Sequence, residues 1–244
     1  MSGTPSAVPI VAAAPPPPAV PVLHAVTDSE IVGAKGFADR ARAVMAAGRG
    51  QVAVHLRTTD LPTRSLFILA ELLAESQRMT GALIVVNDRL DVALASGVRG
   101  LQLPARALAL DDARRLGGSL RIGVSVHDAA GAVAAAAGGA DWIVAGHVYD
   151  TPSHAGLPGR GDAFVRDVAR AVGTAGPPVI AIGGVTPARV PALRRAGAAG
   201  VAAIRGIWGA HDPSAAVAEY LSAHDGSDGH GGSDGAGAGP HGQR

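Results

Sequence analysis

Histidines lie at the ends of two consecutive apolar runs of this sequence. His127 ends the run 121–127, and His147 falls near the end of the run 142–148. A histidine both accepts and donates a proton near neutral pH, so His127 is the best candidate for a proton-transferring group. The alternative for either histidine is a structural hydrogen bond to the helix that follows.

His55 and Arg57 form a second pair of candidates. They alternate on one apolar run, so a β-strand would turn both side chains toward the same side. Arg57 could bind a carboxylate through two parallel hydrogen bonds, whereas His55 is either a ligand contact or a buried structural histidine. Two amides, Asn87 and Gln102, end further apolar runs and join this group of substrate-binding candidates.

Glycines in two loops give the clearest anion-binding pattern. The segment 181–187, AIGGVTP, passes from an apolar run through two glycines into a helix start, and the segment 204–209, IRGIWG, follows the last run. Glycines let the backbone approach an anion closely, and the loops after the seventh and eighth strands of a barrel commonly bind phosphate. The alternative is that the glycines only make a tight turn. The phosphate-binding candidates are Gly183, Gly184, Arg205 and Gly206.

Short apolar runs alternate with helical stretches along most of the chain. The runs are 22–27, 51–57, 82–88, 100–104, 121–127, 142–148, 178–184 and 200–206. The helical stretches are 37–48, 63–79, 89–96, 110–117, 128–138, 162–172, 187–197 and 213–223. This alternation predicts a single α/β domain, a (β/α)₈ TIM barrel, with its site at the carboxyl ends of the strands. The glycine-rich segment 156–161, which contains Arg160, is either a lid over that site or an ordinary surface connection.

Composition excludes several classes of function. Cysteine is absent, which excludes disulfides, thiolate metal sites and cysteine nucleophiles. The net charge of +1 gives no reason to expect nucleic acid or a membrane as a partner, and no apolar run is long enough to cross a bilayer. We therefore expect a cytoplasmic protein with a barrel at 22–224 between disordered segments at 1–21 and 225–244. Whether it forms a homodimer stays open.

Six segments occur in order along nearly all of 22–224: LHAVTD (23–28), VNDR (86–89), LQLPA (101–105), IGVSVH (122–127), GHVYDTPSHAGLPGRG (146–161) and PVIAIGGVTP (178–187). Taken together, these segments resemble the superfamily that contains the thiamine phosphate synthases and the thiazole tautomerases. The resemblance implies a barrel that binds a small phosphorylated ligand.

Several positions depart from the synthase branch, whose members join a pyrimidine diphosphate to a thiazole phosphate with Mg²⁺. The synthase pattern Q-x-R-x-K corresponds here to His55, Arg57 and Thr59, and a magnesium-binding aspartate corresponds to Ala107. Asp88 remains from the synthase metal pair, but a single carboxylate makes a poor Mg²⁺ site. The departures favour the tautomerase branch, which resembles this chain in G-H-V-[FY]-x-T, G-L-x-G-R-G and Q-L-P.

The tautomerase branch implies an isomerase that turns a non-aromatic carboxythiazole phosphate into its aromatic form by proton transfer, without a metal or a cofactor. In this interpretation His127 is the catalytic proton shuttle and Arg57 binds the carboxylate. The other substrate contacts implied are His55, Asn87, Gln102, His147 and Arg160.

Two alternatives to the tautomerase stay open. One is a thiamine phosphate synthase with an altered site, which would make its product only with Mg²⁺. The other is a non-catalytic relative that keeps only the phosphate site.

Overall fold

The computed structural model describes residues 19–154 and 156–226 of the 244-residue chain. The segments 1–21 and 225–244, which the sequence predicts to be disordered, lie almost wholly outside these residues, so their disorder stays a prediction. None of the helices in the described residues is both long enough and apolar enough to cross a membrane.

Eight parallel strands form a closed barrel in which each strand pairs with its sequence neighbours, and the last strand pairs with the first. This confirms the predicted (β/α)₈ barrel, and every strand lies within one of the predicted apolar runs. The strands are β1 (Leu23–Val26), β2 (Val52–Leu56), β3 (Leu83–Asn87), β4 (Gly100–Leu103), β5 (Arg121–Val126), β6 (Trp142–Gly146), β7 (Val179–Ile182) and β8 (Gly200–Ala203).

Helices follow the strands and surround the barrel. They are α1 (Ser29–Gly33), α2 (Phe37–Gly48), α3 (Thr63–Thr80), α4 (Leu90–Ser96), α5 (Leu110–Gly117), α6 (Ala129–Ala137), α7 (Gly161–Val172), α8 (Val190–Arg195), α9 (Arg205–Trp208) and α10 (Pro213–Asp225). Short 3₁₀ turns occur at Arg49–Gln51, Pro152–His154 and Pro187–Arg189.

The helices differ from the sequence-based expectation in two respects. The short helices α1 and α9 were not predicted. Asp28 caps the start of α1, and its carboxylate accepts a hydrogen bond from the N–H of Ile31 at 3.0 Å. The predicted helix 187–197 is divided into a 3₁₀ turn and α8. Pro191 has no N–H to donate to the preceding turn, which accounts for the division.

Two apolar layers stabilise the barrel. The outer layer packs the strands against the helices and contains fully buried residues such as Leu73 of α3 and Ile84 of β3. Successive side chains of a strand point to opposite sides, so Leu83, the neighbour of Ile84, belongs to the inner layer instead. The inner layer consists of Val26, Ala53, Leu83, Val85, Trp142, Val144, Ile180 and Ala202.

The indole of Trp142 is the largest group inside the barrel, and it fills the space beside Gly123 of β5. Its Nε1 donates to Oε1 of Gln102 at 2.8 Å, and Nε2 of Gln102 donates to Oγ of Ser125 at 3.0 Å. A β-carbon on Gly123 would overlap the indole ring and crowd Oε1 of Gln102. Trp142, Gln102 and Gly123, which we call the barrel plug, are therefore packed so closely that the glycine is required.

Replacement of Gly123 by alanine should destabilise the fold by about 1–3 kcal/mol, because the added methyl group overfills the barrel plug. Gly33→Ala is the matched control, since nothing lies within 4 Å of a β-carbon built at Gly33. Urea unfolding followed by circular dichroism gives the free energy of unfolding of both variants. Equal stability of the two variants would contradict this packing.

Candidate active site

A cavity of about 460 Å³ opens at the carboxyl ends of the strands, and its volume is typical of ligand sites. The structure brings all the predicted site residues except Arg160 to its wall. Those that line it are His55, Arg57, Asn87, Gln102, His127, His147, Gly183, Gly184, Arg205 and Gly206.

Arg160 lies just outside this cavity. Its guanidinium carbon lies 3.5 Å from the centroid of the Phe164 ring, and its Nη1 donates to the backbone carbonyl oxygen of His127. Arg160 therefore reaches the site through the backbone of His127 and not through a direct opening to the cavity.

Gly183 and Gly184 shape the loop after β7, where it packs against the loop after β6. Their φ angles are 109° and 62°, a region that favours glycine. A β-carbon on Gly183 would lie 2.7 Å from Cβ of His147, and one on Gly184 would lie 2.6 Å from the carbonyl oxygen of Asp150. The two glycines thus form a tight turn, which was the alternative to phosphate binding in the sequence analysis. Their backbone N–H groups also have no hydrogen-bond acceptor within the described residues, so they remain available to a ligand.

Tyr220 of α10 connects the loops that follow β7 and β8. Its hydroxyl donates to the carbonyl oxygen of Val185 at 2.8 Å, and a β-carbon on Gly206 would overlap this hydroxyl. Burial raises the pKa of Tyr220 to about 12, so the hydroxyl keeps the proton that it donates. Gly206 and Arg205 are thereby held beside the loop after β7.

Two buried histidines lie side by side at the β1 and β2 wall of the barrel. Nδ1 of His24 lies 2.8 Å from Nε2 of His55, and Nε2 of His24 lies 3.0 Å from the carbonyl oxygen of Pro21. Nδ1 of His55 lies 3.3 Å from Oδ1 of Asn87. Burial, followed by the charge of His55, holds the pKa of His24 well below its ordinary value. Burial lowers the pKa of His55 to about 4, so both rings are neutral at pH 7.

His127 and His147 lie at the opposite wall, after β5 and β6. Nδ1 of His127 lies 3.2 Å from the carbonyl oxygen of Gly146, which can only accept, so this nitrogen carries a proton. In the neutral ring, Nε2 of His127 then holds the lone pair that a base needs. Nε2 of His147 in turn donates to the carbonyl oxygen of Pro158 at 3.1 Å.

The glycine-rich segment 156–161 is tied to the end of β6. The N–H of Gly159 donates to Oδ1 of Asp150 at 2.6 Å, and the N–H of Gly161 donates to the carbonyl oxygen of Val148 at 2.7 Å. These bonds, together with the one from His147, support the interpretation of this segment as a connection over the interpretation as a lid.

The charges around the cavity are mostly positive. The guanidinium groups of Arg57 and Arg205 make no hydrogen bond or ion pair with any of the described residues. Asp150 contributes the only carboxylate among the described residues that line the cavity, and one of its oxygens already accepts from Gly159. An anionic ligand therefore suits this cavity.

Gln102 lines the cavity, but its side-chain amide already makes two hydrogen bonds inside the barrel. Both of its polar atoms are hydrogen-bonded, the oxygen to Trp142 and the nitrogen to Ser125. A ligand contact with Gln102 would have to use the remaining hydrogen of its amide nitrogen.

Acidic side chains do not gather into a metal site in the part of the chain that the structure describes. Asp88, the carboxylate that the resemblance connects with magnesium, is exposed and is absent from the cavity wall. Its backbone, with φ at 64°, turns away from β3 into α4.

Sequence reasoning missed three residues that shape the site: His24, Asp150 and Tyr220. For His24 a signal was present, since a histidine within an otherwise apolar run must find a buried hydrogen-bond partner. Asp150 and Tyr220 gave no such signal, because their partners are backbone groups that the sequence around them does not identify.

Comparison with known proteins assigns this chain to a family. A family model described as thiamine monophosphate synthase matches residues 23–207. A thiamine-phosphate synthase from Methanoculleus marisnigri is 41% identical over 198 residues, which cover 80% of this chain and 91% of the relative. Another from Salinispora arenicola is 42% identical over 204 residues, which cover 82% and 96%. The solved structure of a thiamine phosphate pyrophosphorylase from Pyrococcus furiosus superposes with a TM-score of 0.73 at 28% identity, covering 85% of this chain and 96% of that chain.

These relatives overturn the prediction of a thiazole tautomerase. They are enzymes, but they are named as synthases and not as isomerases, so they favour the alternative that the sequence left open. The tautomerase prediction depended on a few positions around the cavity, such as His55 and Ala107. The similarity to the synthases, in contrast, extends over 80% of the chain.

The histidine pair should make stability fall as the pH falls from about 6.5 to about 4. The pKa of His55 is about 4 in the folded protein against an ordinary value of 6.5. In this window the unfolded chain binds the proton and the folded chain does not, so acid favours unfolding. A shift of this size corresponds to about 3 kcal/mol.

Urea unfolding across this pH window measures the effect, and His55→Gln supplies the comparison because it removes the titrating ring. The variant should lose less stability than the native protein over the same window. An equal loss in both proteins would show that His55 is not held neutral by burial.

Proposed function

This chain belongs to the thiamine monophosphate synthase family, and we propose that it joins a thiazole phosphate to a pyrimidine diphosphate, releasing diphosphate. The observation that carries the proposal is the cavity, whose wall combines glycine N–H groups with two arginines that have no side-chain partner among the described residues. Both substrates are anionic, so an excess of positive charge would attract and hold them.

The corner between β7 and β8 would hold the phosphate of the thiazole. Gly183 and Gly184 offer backbone N–H groups without an acceptor in the described residues, and Arg205 offers a guanidinium beside them. Charge-assisted hydrogen bonds of this kind are stronger than those between neutral groups. The loops after these two strands are also the usual phosphate site of this fold.

Arg57 would bind the diphosphate group of the pyrimidine substrate. Its guanidinium lines the cavity at the end of β2, and its backbone is fixed by Thr27, whose Oγ1 accepts from the N–H of Arg57 at 2.9 Å. A leaving diphosphate gains negative charge as its bond to the pyrimidine breaks. The positive charge of Arg57 would stabilise that developing charge.

The residues of this cavity do not fit the magnesium ion that the synthase branch implies. A magnesium ion in a phosphate site is usually held by one or two carboxylates. Asp88 is exposed away from the cavity, Ala107 has no ligand atom, and Asp150 is engaged with Gly159. We therefore assign no step of the reaction to a metal ion.

The missing carboxylates favour a second candidate function: binding of the thiazole phosphate without coupling. The phosphate corner would be the same, and only the chemistry at the diphosphate would be lost.

A coupling assay separates the two candidates. Purified protein is mixed with thiazole phosphate and pyrimidine diphosphate, once with magnesium and once with EDTA, and thiamine phosphate is quantified by chromatography. The synthase proposal expects product that depends on the enzyme and is lost in the double variant Arg57→Ala/Arg205→Ala. Thiazole phosphate that binds without any product under either condition would contradict the synthase and support binding alone.

Arg205→Ala should weaken the binding of thiazole phosphate by about tenfold or more, because one charge-assisted hydrogen bond contributes about 1.5–3 kcal/mol. Arg195→Ala is the matched control, since this exposed arginine ends α8 and is not part of the cavity wall. Isothermal titration calorimetry measures both affinities. A similar loss in the two variants, or in neither, would place the phosphate elsewhere.

A further inference from the structure

The carbonyl groups of residues 182–185, in the turn after β7, all accept hydrogen bonds. Their donors, in the order of the carbonyls, are the N–H groups of Val148 and Tyr149, Nη1 of Arg189 and the hydroxyl of Tyr220, at 2.8, 2.9, 2.5 and 2.8 Å. These four donors are absent from the described residues that line the cavity. The four carbonyls therefore point to groups that lie behind the cavity wall.

The N–H groups of the same four peptides point the other way. In a trans peptide the N–H lies opposite to the C=O, and the four peptides of this turn are trans. Their N–H groups belong to residues 183–186, all of which line the cavity. These N–H groups have no acceptor within the described residues. The turn thus presents four N–H groups to the cavity, two more than its glycines provide.

Backbone groups fix the first two of these peptides, whereas side chains fix the other two. The N–H groups of Val148 and Tyr149 continue the parallel pairing of β6 with β7. Among the described residues, the peptide that joins Gly184 to Val185 has its carbonyl held only by Arg189. Gly184 has a φ of 62°, and the backbone of a glycine rotates with little steric resistance. The orientation of this peptide therefore depends on the side chain of Arg189.

Arg189 is placed by the short turn that it ends. The N–H of Arg189 donates to the carbonyl oxygen of Thr186 at 3.0 Å, which closes the 3₁₀ turn Pro187–Arg189. The turn folds the chain back, so the side chain of Arg189 reaches Gly184, five residues earlier. Since Arg189 is not part of the cavity wall, its effect on a ligand must pass through the peptide that it holds.

The guanidinium of Arg189 is itself held in place. Its central carbon lies 4.2 Å from the centroid of the Tyr149 ring, and the hydroxyl of Tyr149 donates to Oδ1 of Asp162 in the first turn of α7. Burial, followed by this hydrogen bond, raises the pKa of Tyr149 to about 12, so the ring is neutral at pH 7. The face of a neutral aromatic ring attracts a guanidinium. We call Arg189, Tyr149 and Asp162 the loop clamp.

Gly184 leaves just enough space for the loop clamp. A β-carbon on Gly184 would lie 2.9 Å from Cβ of Tyr149 and 3.3 Å from Nη1 of Arg189. The clamp therefore packs against bare backbone at the residue whose peptide it orients.

We propose that Arg189 is a positioning residue, which acts through the Gly184–Val185 peptide to direct the N–H of Val185 toward a phosphate in the cavity. The inference rests on the proposed function for the identity of this ligand. Tyr149 and Asp162 hold the guanidinium for this purpose, and Tyr220 acts in the same way on the next peptide. The phosphate is bound by backbone N–H groups whose direction is determined by side chains that do not touch it.

Relaxation of backbone amides in nuclear magnetic resonance tests this role in the free protein. In Arg189→Ala the order parameters of Gly184 and Val185 should fall below about 0.6, the range of a flexible backbone, because their shared peptide is no longer held. They should stay at the native values in the control Arg195→Ala, since Arg195 is an exposed arginine at the end of α8. Unchanged order parameters in Arg189→Ala would show that the turn is rigid without the clamp and would overturn the proposal.

Calorimetry with thiazole phosphate measures the effect on the ligand. Arg189→Ala should weaken binding by about tenfold, which corresponds to one misdirected charge-assisted hydrogen bond. Urea unfolding should give the same stability for Arg189→Ala and the native protein, because the side chain is exposed. Native affinity in this variant would refute the positioning role.

A double variant tests whether Arg189 and Tyr149 act as one unit. Tyr149→Leu removes both the ring under the guanidinium and the bond to Asp162. Arg189→Ala/Tyr149→Leu should bind thiazole phosphate no more weakly than the weaker of the single variants. Losses that add would mean that the two residues act separately, contrary to the loop clamp.

The same titrations separate this inference from the proposed function. If the native protein binds neither thiazole phosphate nor inorganic phosphate, the proposed function fails, and the role of Arg189 at a phosphate fails with it. If the native protein binds thiazole phosphate and Arg189→Ala binds it equally well, only the role of Arg189 fails.

Discussion

Parallel pairing in a closed barrel determines which side chains of this protein can meet. β1 pairs with β2 so that His24 lies opposite Ala53 and Val26 lies opposite His55. The two histidines therefore occupy diagonal positions on the inner side of adjacent strands, and their ring centroids are 5.0 Å apart. A shift of one residue in this register would turn one ring toward the outer layer, away from its hydrogen-bond partner. Much of the polar site thus depends on the register of strands that are otherwise apolar.

The cavity has a neutral lower wall and a positively charged rim. Below, the barrel plug and the histidine pair are buried and carry no charge at pH 7, and their hydrogen bonds are made to neutral groups. Above, Arg57 and Arg205 keep their guanidinium groups uncommitted among the described residues. This division suits a molecule with an anionic end and a heterocyclic end, since each end meets a wall of matching polarity.

The fold was predictable because each strand is a short apolar run, and each run is followed by a helical stretch. The positions of His127, Gly183 and Arg205 at strand ends were predictable for the same reason. The stacking of Arg160 on Phe164 was not, because the direction of a long side chain depends on neighbours that the local sequence does not specify. The preference for the tautomerase over the synthase was wrong. It depended on a few site residues such as Thr59 and Ala107, whereas the similarity of the whole chain is to synthases.

The hydroxyl of Tyr220 connects the two loops of the phosphate corner from a helix that comes after both of them in the chain. A ribosome makes β1 through α9 before it makes α10, so a growing chain has both loops before it has the group that fixes their spacing. If these loops bind phosphate as proposed, affinity for a phosphorylated ligand is consequently acquired late in synthesis. The ligand can therefore stabilise the finished barrel by mass action, while it has little influence on the partly made one.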